Sequence, residues 1–212
     1  QWAESSTGSA VAKLEEEIEA APHAPPVETL PAFYDDPGFI ASFAASARPV
    51  LDESHPDHVL FSYHGLPERQ IRAADPTGTH CLADAACCEK PGDVLARCYR
   101  AQCYATTRSL VAALALDPGR TSTAFQSRLG QTPWIQPFTD ERLSELAARG
   151  VKRLAVLCPS FVADCLETIE ECGIRAREQW RELGGDLLAL APCPNADPGW
   201  AEAVAAMVRR DA

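Results

Sequence analysis

Apolar and polar residues alternate along this chain in blocks that predict successive strands and helices. Short apolar runs of strand length lie at 27–33, 58–62, 122–127, 154–158 and 187–191. Helical periodicity is present at 9–21, 36–51, 101–116, 139–148, 164–183 and 200–209. The near-continuous apolar run at 154–158 is typical of a parallel strand that is buried on both faces. The alternation predicts an α/β fold, with a doubly wound, Rossmann-like parallel sheet flanked by helices.

A proline-rich stretch separates the first predicted helix from the rest of the chain. Pro22, Pro25 and Pro26 end that helix, because proline lacks the N–H that a helix interior needs. This stretch is the one convincing linker in the sequence. The chain also begins with Gln1 rather than Met, so we expect a fragment or a processed chain that lacks an N-terminal part.

Composition narrows the class of protein. A chain of 212 residues with 46% hydrophobic residues can bury a substantial core. Its net charge of -11 argues against binding to nucleic acid, which requires clustered Lys and Arg. We expect neither a transmembrane segment nor a signal peptide, whereas peripheral membrane contact and the oligomeric state stay open. Nine cysteines, an odd number, favour a reducing compartment, and we expect a cytoplasmic protein.

The first candidate site is His64, which follows the predicted strand 58–62. Gly65 and Pro67 form a turn directly after it. Open α/β sheets bind ligands at this carboxyl edge, so the imidazole is placed to accept protons or to bind a metal ion. A histidine that only hydrogen-bonds to the turn backbone would explain the pattern equally well.

The second candidate site follows the predicted strand 154–158. Asp164 and Glu167 have the spacing of a capping box at a helix start, and capping alone would account for both. Glu171 lies one helical turn beyond Glu167 on the same face. This line of carboxylates could pass protons or a divalent cation, although such a line is more often a solvated face.

Five cysteines, at positions 81, 87, 88, 98 and 103, suggest a metal site or a disulfide cluster. They lack the close pairs of a usual zinc site and do not match a ferredoxin pattern. The gap between Cys98 and Cys103 is tolerated by iron-sulfur sites, so an iron-sulfur site, zinc and free thiols all stay open. Cys158, Cys165, Cys172 and Cys193 are interpreted as small apolar core residues.

Three long segments resemble successive signatures of the ferrochelatase family. They are 58–67 (HVLFSYHGLP), 125–140 (FQSRLGQTPWIQPFTD) and 158–168 (CPSFVADCLET). The resemblance covers nearly the whole chain apart from the cysteine insert, and only the C-terminal part of the family's length. It implies a chelatase-type fold with the N-terminal domain largely missing. The expected division is a helix and linker at 1–26, a Rossmann-like domain at 27–190 with an insert at 78–104, and a final helix at 191–212 that packs back on the N-terminal domain.

The family inserts ferrous iron into protoporphyrin IX or coproporphyrin III and releases two protons. By this resemblance, His64 accepts pyrrole protons or ligates the incoming iron. Glu167 faces it across the porphyrin plane and also ligates iron, and Glu171 continues the acidic line. Tyr63, Trp134 and Phe138 are the expected porphyrin contacts, although Trp134 and Phe138 fit a role as core residues about as well.

Some bacterial ferrochelatases carry a similar cysteine segment that holds a [2Fe-2S] cluster. The resemblance implies four thiolate ligands: Cys81, Cys98, Cys103 and one of the pair Cys87 and Cys88, for which we choose Cys88. A second class of function also stays open, namely a non-catalytic iron-sulfur or metal-binding module with a chelatase-like fold.

Overall fold

Within residues 1–89 and 94–211, which the computed structural model describes, four parallel strands form one sheet. The strands are β1 (His58–His64), β2 (Thr121–Gln126), β3 (Arg153–Leu157) and β4 (Leu187–Leu190). Their order in the sheet is β2-β1-β3-β4, and every neighbouring pair is parallel. The predicted α/β class with a parallel sheet flanked by helices is confirmed.

Helices connect the strands. The α-helices of the described residues are α1 (Ser9–Ala20), α2 (Pro37–Ser54), α3 (Glu68–Ala73), α4 (Val94–Arg97), α5 (Tyr99–Ala113), α6 (Thr139–Ala148), α7 (Ala176–Glu182) and α8 (Pro198–Asp211). Residues Glu4–Gly8 and Glu167–Arg175 form π-helical turns that run directly into α1 and α7. None of these helices has the length and apolar character needed to cross a membrane.

Hydrophobic side chains pack on both faces of the sheet because successive residues of a strand point to opposite sides. On β1, Phe61 and Tyr63 belong to the core that α2 and α5 cover, whereas Leu60 belongs to the core under α6 and α7. Trp180 of α7 is 1% exposed and fills much of that second core. A sheet covered on both faces leaves the ends of its strands as the place for polar chemistry.

The clearest differences from the sequence prediction concern two of the predicted strands. Residues 27–33 are not a strand: they have no regular structure, and most of them are exposed. Pro25, Pro26 and Pro31 lie in or beside this segment, and proline cannot donate to a strand ladder. Strand β1 extends two residues beyond its predicted end at Ser62, so His64 is its last residue rather than a residue of the following turn.

Both ends of the chain pack on the helices of the first core. Ala3 is buried, and the side chain of Gln1 donates to Thr106 of α5 at 2.9 Å. Helix α8 packs on α2, where Trp200 contacts Phe39 with ring centroids 5.9 Å apart. The division of the chain at 1–26, 27–190 and 191–212 stays a prediction.

Helix α2 provides a test of these packing relations, because the Asp36 side chain caps its first turn. Its carboxylate accepts from the backbone N–H of Gly38 at 2.8 Å and pairs with Arg210 of α8 at 2.9 Å. We expect Asp36→Ala to lower the free energy of unfolding by about 1 to 2 kcal/mol in urea titrations. The control Asp35→Ala, at an exposed neighbouring position, should change it by less than about 0.5 kcal/mol. Equal effects of the two variants would contradict a capping role for Asp36.

Candidate active site

His64 lies where the ends of three strands come together, and hydrogen bonds fix its main chain and its ring. It pairs in register with Gln126, the last residue of β2. Its backbone N–H donates to Ser160 Oγ at 3.0 Å, and its carbonyl accepts from the Tyr99 hydroxyl at 2.7 Å. The ring Nδ1 lies 2.6 Å from the carbonyl oxygen of Gly65. Since a carbonyl only accepts, Nδ1 carries the proton, and Nε2 of the neutral ring keeps a free lone pair.

Gly65 allows the ends of β1 and β2 to close around this histidine. Its N–H donates to the carbonyl of Gln126 at 2.8 Å. A Cβ at this position would lie 2.9 Å from that same carbonyl oxygen and 3.3 Å from the Trp134 ring. The ring centroids of Trp134 and Phe161 are 6.5 Å and 6.4 Å from that of His64. The half-buried imidazole therefore lies between two aromatic side chains.

Glu167 begins the π-helix after β3 and lies close enough to His64 for their charges to interact. The pKa of its carboxyl is lowered, first by a hydrogen bond from its own backbone N–H, then by the Cys165 thiol, and further by His64. Its carbonyl accepts from Gln126 Nε2 at 2.7 Å. A base and a carboxylate thus face the same edge of the sheet.

The predicted capping box is wrong. The helix begins at Glu167 rather than after Asp164, and no side chain caps it. The Asp164 carboxylate instead accepts from Asn195 Nδ2 at 2.8 Å and from the Cys193 N–H at 3.2 Å. It also accepts from Thr168 Oγ1 at 3.2 Å. Asp164 therefore joins the segment after β3 to the segment after β4, and Glu167 needs an explanation other than capping.

Glu171 is bound to the first residue after β2. Its two carboxylate oxygens accept from Ser127, one from the backbone N–H at 2.8 Å and the other from the hydroxyl at 2.5 Å. Ser127 has a φ of 65°, a left-handed conformation that is costly for a residue with a Cβ. A cavity of about 210 Å³ opens beside Glu171 and is also lined by Arg175 and Gln179. Glu167 and Glu171 thus both hold the end of β2, at Gln126 and Ser127.

The three expected porphyrin contacts differ in their exposure and in their distance from His64. Trp134 lies beside His64, and its indole N–H donates to the Leu129 carbonyl at 2.9 Å. Phe138 is half-buried, with the Arg128 guanidinium 4.0 Å above its ring. Tyr63 is 0% exposed and its hydroxyl bonds to Thr107 at 2.9 Å. This placement gives the Tyr63 side chain no surface for a ligand, contrary to the expected porphyrin contact, because it points into the core beneath α5.

The five cysteines of the predicted insert are all buried and free. The Cys98 thiol interacts with the thiols of Cys81 and Cys88, and the sulfurs of Cys87 and Cys88 are 3.9 Å apart. Burial raises the pKa of Cys103, the fifth thiol. Residues 90–93 of the insert lie outside the described residues. In the part of the chain that is described, no group of three or more His, Cys, Asp or Glu side chains is arranged to hold a metal ion.

A positive charge accompanies these thiols. Arg100 Nη1 lies 3.2 Å from the Cys88 sulfur and 3.9 Å from the Cys87 sulfur. Its guanidinium also stacks on Tyr104, 5.0 Å from the ring centroid. The half-buried Arg100 lowers the pKa of the Cys88 thiol, but the hydrogen bond to Cys98 and burial outweigh it, so the pKa of Cys88 is raised overall.

Comparisons with known proteins identify the family of this chain. A family model described as Ferrochelatase matches residues 1–212. The chain belongs to the ferrochelatase family. It is similar to the ferrochelatase of Azotobacter vinelandii, with 48% identity over 210 residues that are 99% of this chain and 62% of the relative. The ferrochelatase of Pseudomonas savastanoi is 46% identical over 95% of this chain and 59% of its own length. That of Pseudomonas fluorescens strain SBW25 is 51% identical over 84% and 52%.

The chain therefore spans 52 to 62% of the length of these ferrochelatases. Some of the site residues that the sequence did not reveal lie inside the ferrochelatase signature segments, and one lies outside them. Gln126 and Ser127 follow Phe125 in one segment, and Ser160 lies in another, so the quoted signatures contained them without indicating their contacts. Tyr99 gave no signal, since it lies between two cysteines that drew attention to metal binding.

The bond between Glu171 and Ser127 can be tested without an activity assay. We expect Glu171→Gln to lower the free energy of unfolding by about 1 to 2 kcal/mol, because a charge-assisted bond that holds a left-handed residue is weakened. Limited proteolysis between Ser127 and Trp134 should also become faster. Glu178→Gln, at an exposed position on α7, is the matched control and should change neither measurement. Unchanged proteolysis in Glu171→Gln would show that Glu171 does not hold this loop.

Proposed function

We propose that this chain carries the metallating site of a ferrochelatase, which inserts ferrous iron into a porphyrin. The porphyrin is protoporphyrin IX or coproporphyrin III, and both iron and porphyrin are substrates. Metallation replaces two pyrrole N–H bonds with bonds to iron and releases two protons. The site must therefore provide a base, oxygen or nitrogen ligands that hold iron weakly, and a surface for a flat ring.

The observation that carries the proposal is the 2.6 Å contact between His64 Nδ1 and the Gly65 carbonyl oxygen. With Nδ1 committed to the Gly65 carbonyl, Nε2 is the nitrogen that can accept a pyrrole proton or coordinate the iron. The His64 main chain is held on both sides, its N–H by Ser160 and its carbonyl by Tyr99. A base that is fixed in position loses little entropy when it reacts.

Two carboxylates complete the set of groups. The lowered pKa of Glu167 keeps it ionised, so it can attract ferrous iron at the same edge of the sheet as His64. Glu171 follows at the cavity beside Ser127, and we propose that it continues the path by which protons leave. Oxygen ligands suit a metal ion that must be released again to the porphyrin.

Aromatic and aliphatic side chains beside His64 suit a flat apolar substrate. Trp134 and Phe161 lie within 6.5 Å of the imidazole, measured between ring centroids. Leu129 and Leu166, in the segments that also carry Trp134 and Glu167, are 79% and 70% exposed. Apolar surface that is left open around a base is consistent with stacking of a porphyrin.

The enzyme proposal predicts that His64→Ala abolishes metallation and leaves the fold intact. Metallation of protoporphyrin by ferrous iron or zinc should fall at least about 100-fold, since a positioned base contributes about that much. Circular dichroism should be unchanged, and His23→Ala, in an exposed segment, should retain full activity. Retained metallation in His64→Ala would show that His64 is not the required base, and an unmodified protein that does not metallate porphyrin would favour the non-catalytic metal-binding module.

We propose in addition that Cys81, Cys88, Cys98 and Cys103 hold a [2Fe-2S] cluster. Their thiols are buried in one hydrophobic cluster, Cys98 contacts two of the other three, and Arg100 compensates negative charge at Cys88. Buried cysteine sulfurs with a nearby cation suit iron-sulfur ligation, in which bound iron takes the place of the thiol protons. A bound cluster would supply a redox-active group that crosslinks the insert. Nine free cysteines also fit the cytoplasmic location that we propose.

The choice between the adjacent cysteines is testable by colour. Cys88→Ser should remove the visible absorption of the purified protein, because its sulfur faces both Cys98 and Arg100. Cys87→Ser is the matched control and should keep the absorption. The reverse result would assign the ligand to Cys87, and absence of visible absorption in the unmodified protein would refute the cluster.

A further inference from the structure

A closed set of hydrogen bonds holds the main chain of His64. The Tyr99 hydroxyl donates to the His64 carbonyl at 2.7 Å, and Ser160 Oγ accepts from the His64 N–H at 3.0 Å. The two hydroxyls are 3.2 Å apart. Because the Tyr99 proton is used on the carbonyl, Ser160 donates to the Tyr99 oxygen, so each hydroxyl group is satisfied.

Tyr99 comes from the cysteine insert rather than from the three strand ends that form the site. It is the first residue of α5 and directly follows Cys98, the N-cap residue of that helix. Cys103 lies one helical turn later on the same face, where its thiol interacts with the Tyr99 hydroxyl. The position of Tyr99 is thus set by cysteines on both sides of it.

We propose that Tyr99 is a positioning residue through which the cysteine insert controls His64, an inference that rests on the proposed role of His64 in metallation. A shift of Cys98 or Cys103 moves the start of α5, and Tyr99 transmits that shift to the His64 carbonyl. The adjacent peptide carries the Gly65 carbonyl that fixes the ring tautomer. The arrangement of the cysteine insert therefore sets how well the His64 imidazole is aligned.

A purely structural role for Tyr99 predicts something different. The Tyr99 ring is 8% exposed and packs in the hydrophobic core, so its loss would reduce stability whether or not the hydroxyl matters. Removing the hydroxyl alone keeps that packing. The test therefore uses Tyr99→Phe, with Tyr104→Phe as control, because the Tyr104 hydroxyl on the same helix contacts Arg100 and not His64.

In the protein that contains this chain, Tyr99→Phe should lower kcat for porphyrin metallation about 3- to 10-fold, the range expected for one lost hydrogen bond. KM for porphyrin and the visible spectrum should stay within about 2-fold of the unmodified values. In protein labelled with ¹⁵N-histidine, the NMR signals of His64 should lose the single Nδ1–H tautomer. Tyr104→Phe should change neither kcat nor the tautomer, and Ser160→Ala, which removes the second hydroxyl, should reproduce the tautomer change.

Dependence on the insert is tested by combining Tyr99→Phe with Cys98→Ala. If Tyr99 transmits the effect, Cys98→Ala lowers kcat in the unmodified background and has little further effect in Tyr99→Phe. Additive losses would overturn the proposal, as would a Tyr99→Phe protein with the unmodified kcat and tautomer. If the unmodified protein does not metallate porphyrin, the proposed function fails, and the tautomer in Tyr99→Phe and in Cys98→Ala decides the proposal alone.

Discussion

The close approach of β1 and β2 at Gly65 is the constraint on which the site depends. The N–H of Gly65 bonds to the Gln126 carbonyl at a point where any side chain would collide with that oxygen. This contact turns the chain immediately after His64, brings the Gly65 carbonyl to Nδ1 and leaves room for the Trp134 ring. A bulkier residue would separate the strand ends, and the base would lose both its tautomer and its aromatic neighbour.

Gln126 connects the ends of β1 and β2 to the π-helix that carries Glu167 and Glu171. Its side chain is 3% exposed, so each polar atom needs a partner. The amide oxygen accepts from Ser62 at 2.6 Å and lies 3.3 Å from the Cys172 sulfur, while the amide nitrogen donates to the Glu167 carbonyl. One buried amide thus joins β1, β2 and the π-helix. Such a network fixes the separation between base and carboxylate more firmly than surface contacts would.

Sequence reasoning reached the fold and part of the site, for identifiable physical reasons. The apolar run at 154–158 and the helical periodicity at 139–148 reflect burial in the core, so both elements were predictable. Helix α6 has the predicted bounds, and β3 is shifted by one residue. Segment 27–33 has the apolar content of a strand, but nothing in local composition says whether a partner strand is present. Asp164 has the local spacing of a cap, yet its actual partner Asn195 is thirty-one residues away. The Tyr63 side chain lies in the core because successive side chains of a strand point to opposite faces, whereas His64 lies at the edge of the sheet.

The cysteine insert and His64 are neighbours in the sequence, and the structure also connects them in space through α5. From the sequence, the cysteines after His64 are interpreted as an insert that binds its own cluster and shares no ligand with the imidazole. In three dimensions α5 leaves that insert and passes beneath β1, where Tyr63 meets Thr107 and Tyr99 meets the His64 carbonyl. An insert that only bound a metal could lie anywhere on the surface. One whose exit helix bonds to the main chain of the base cannot change its structure without changing the site.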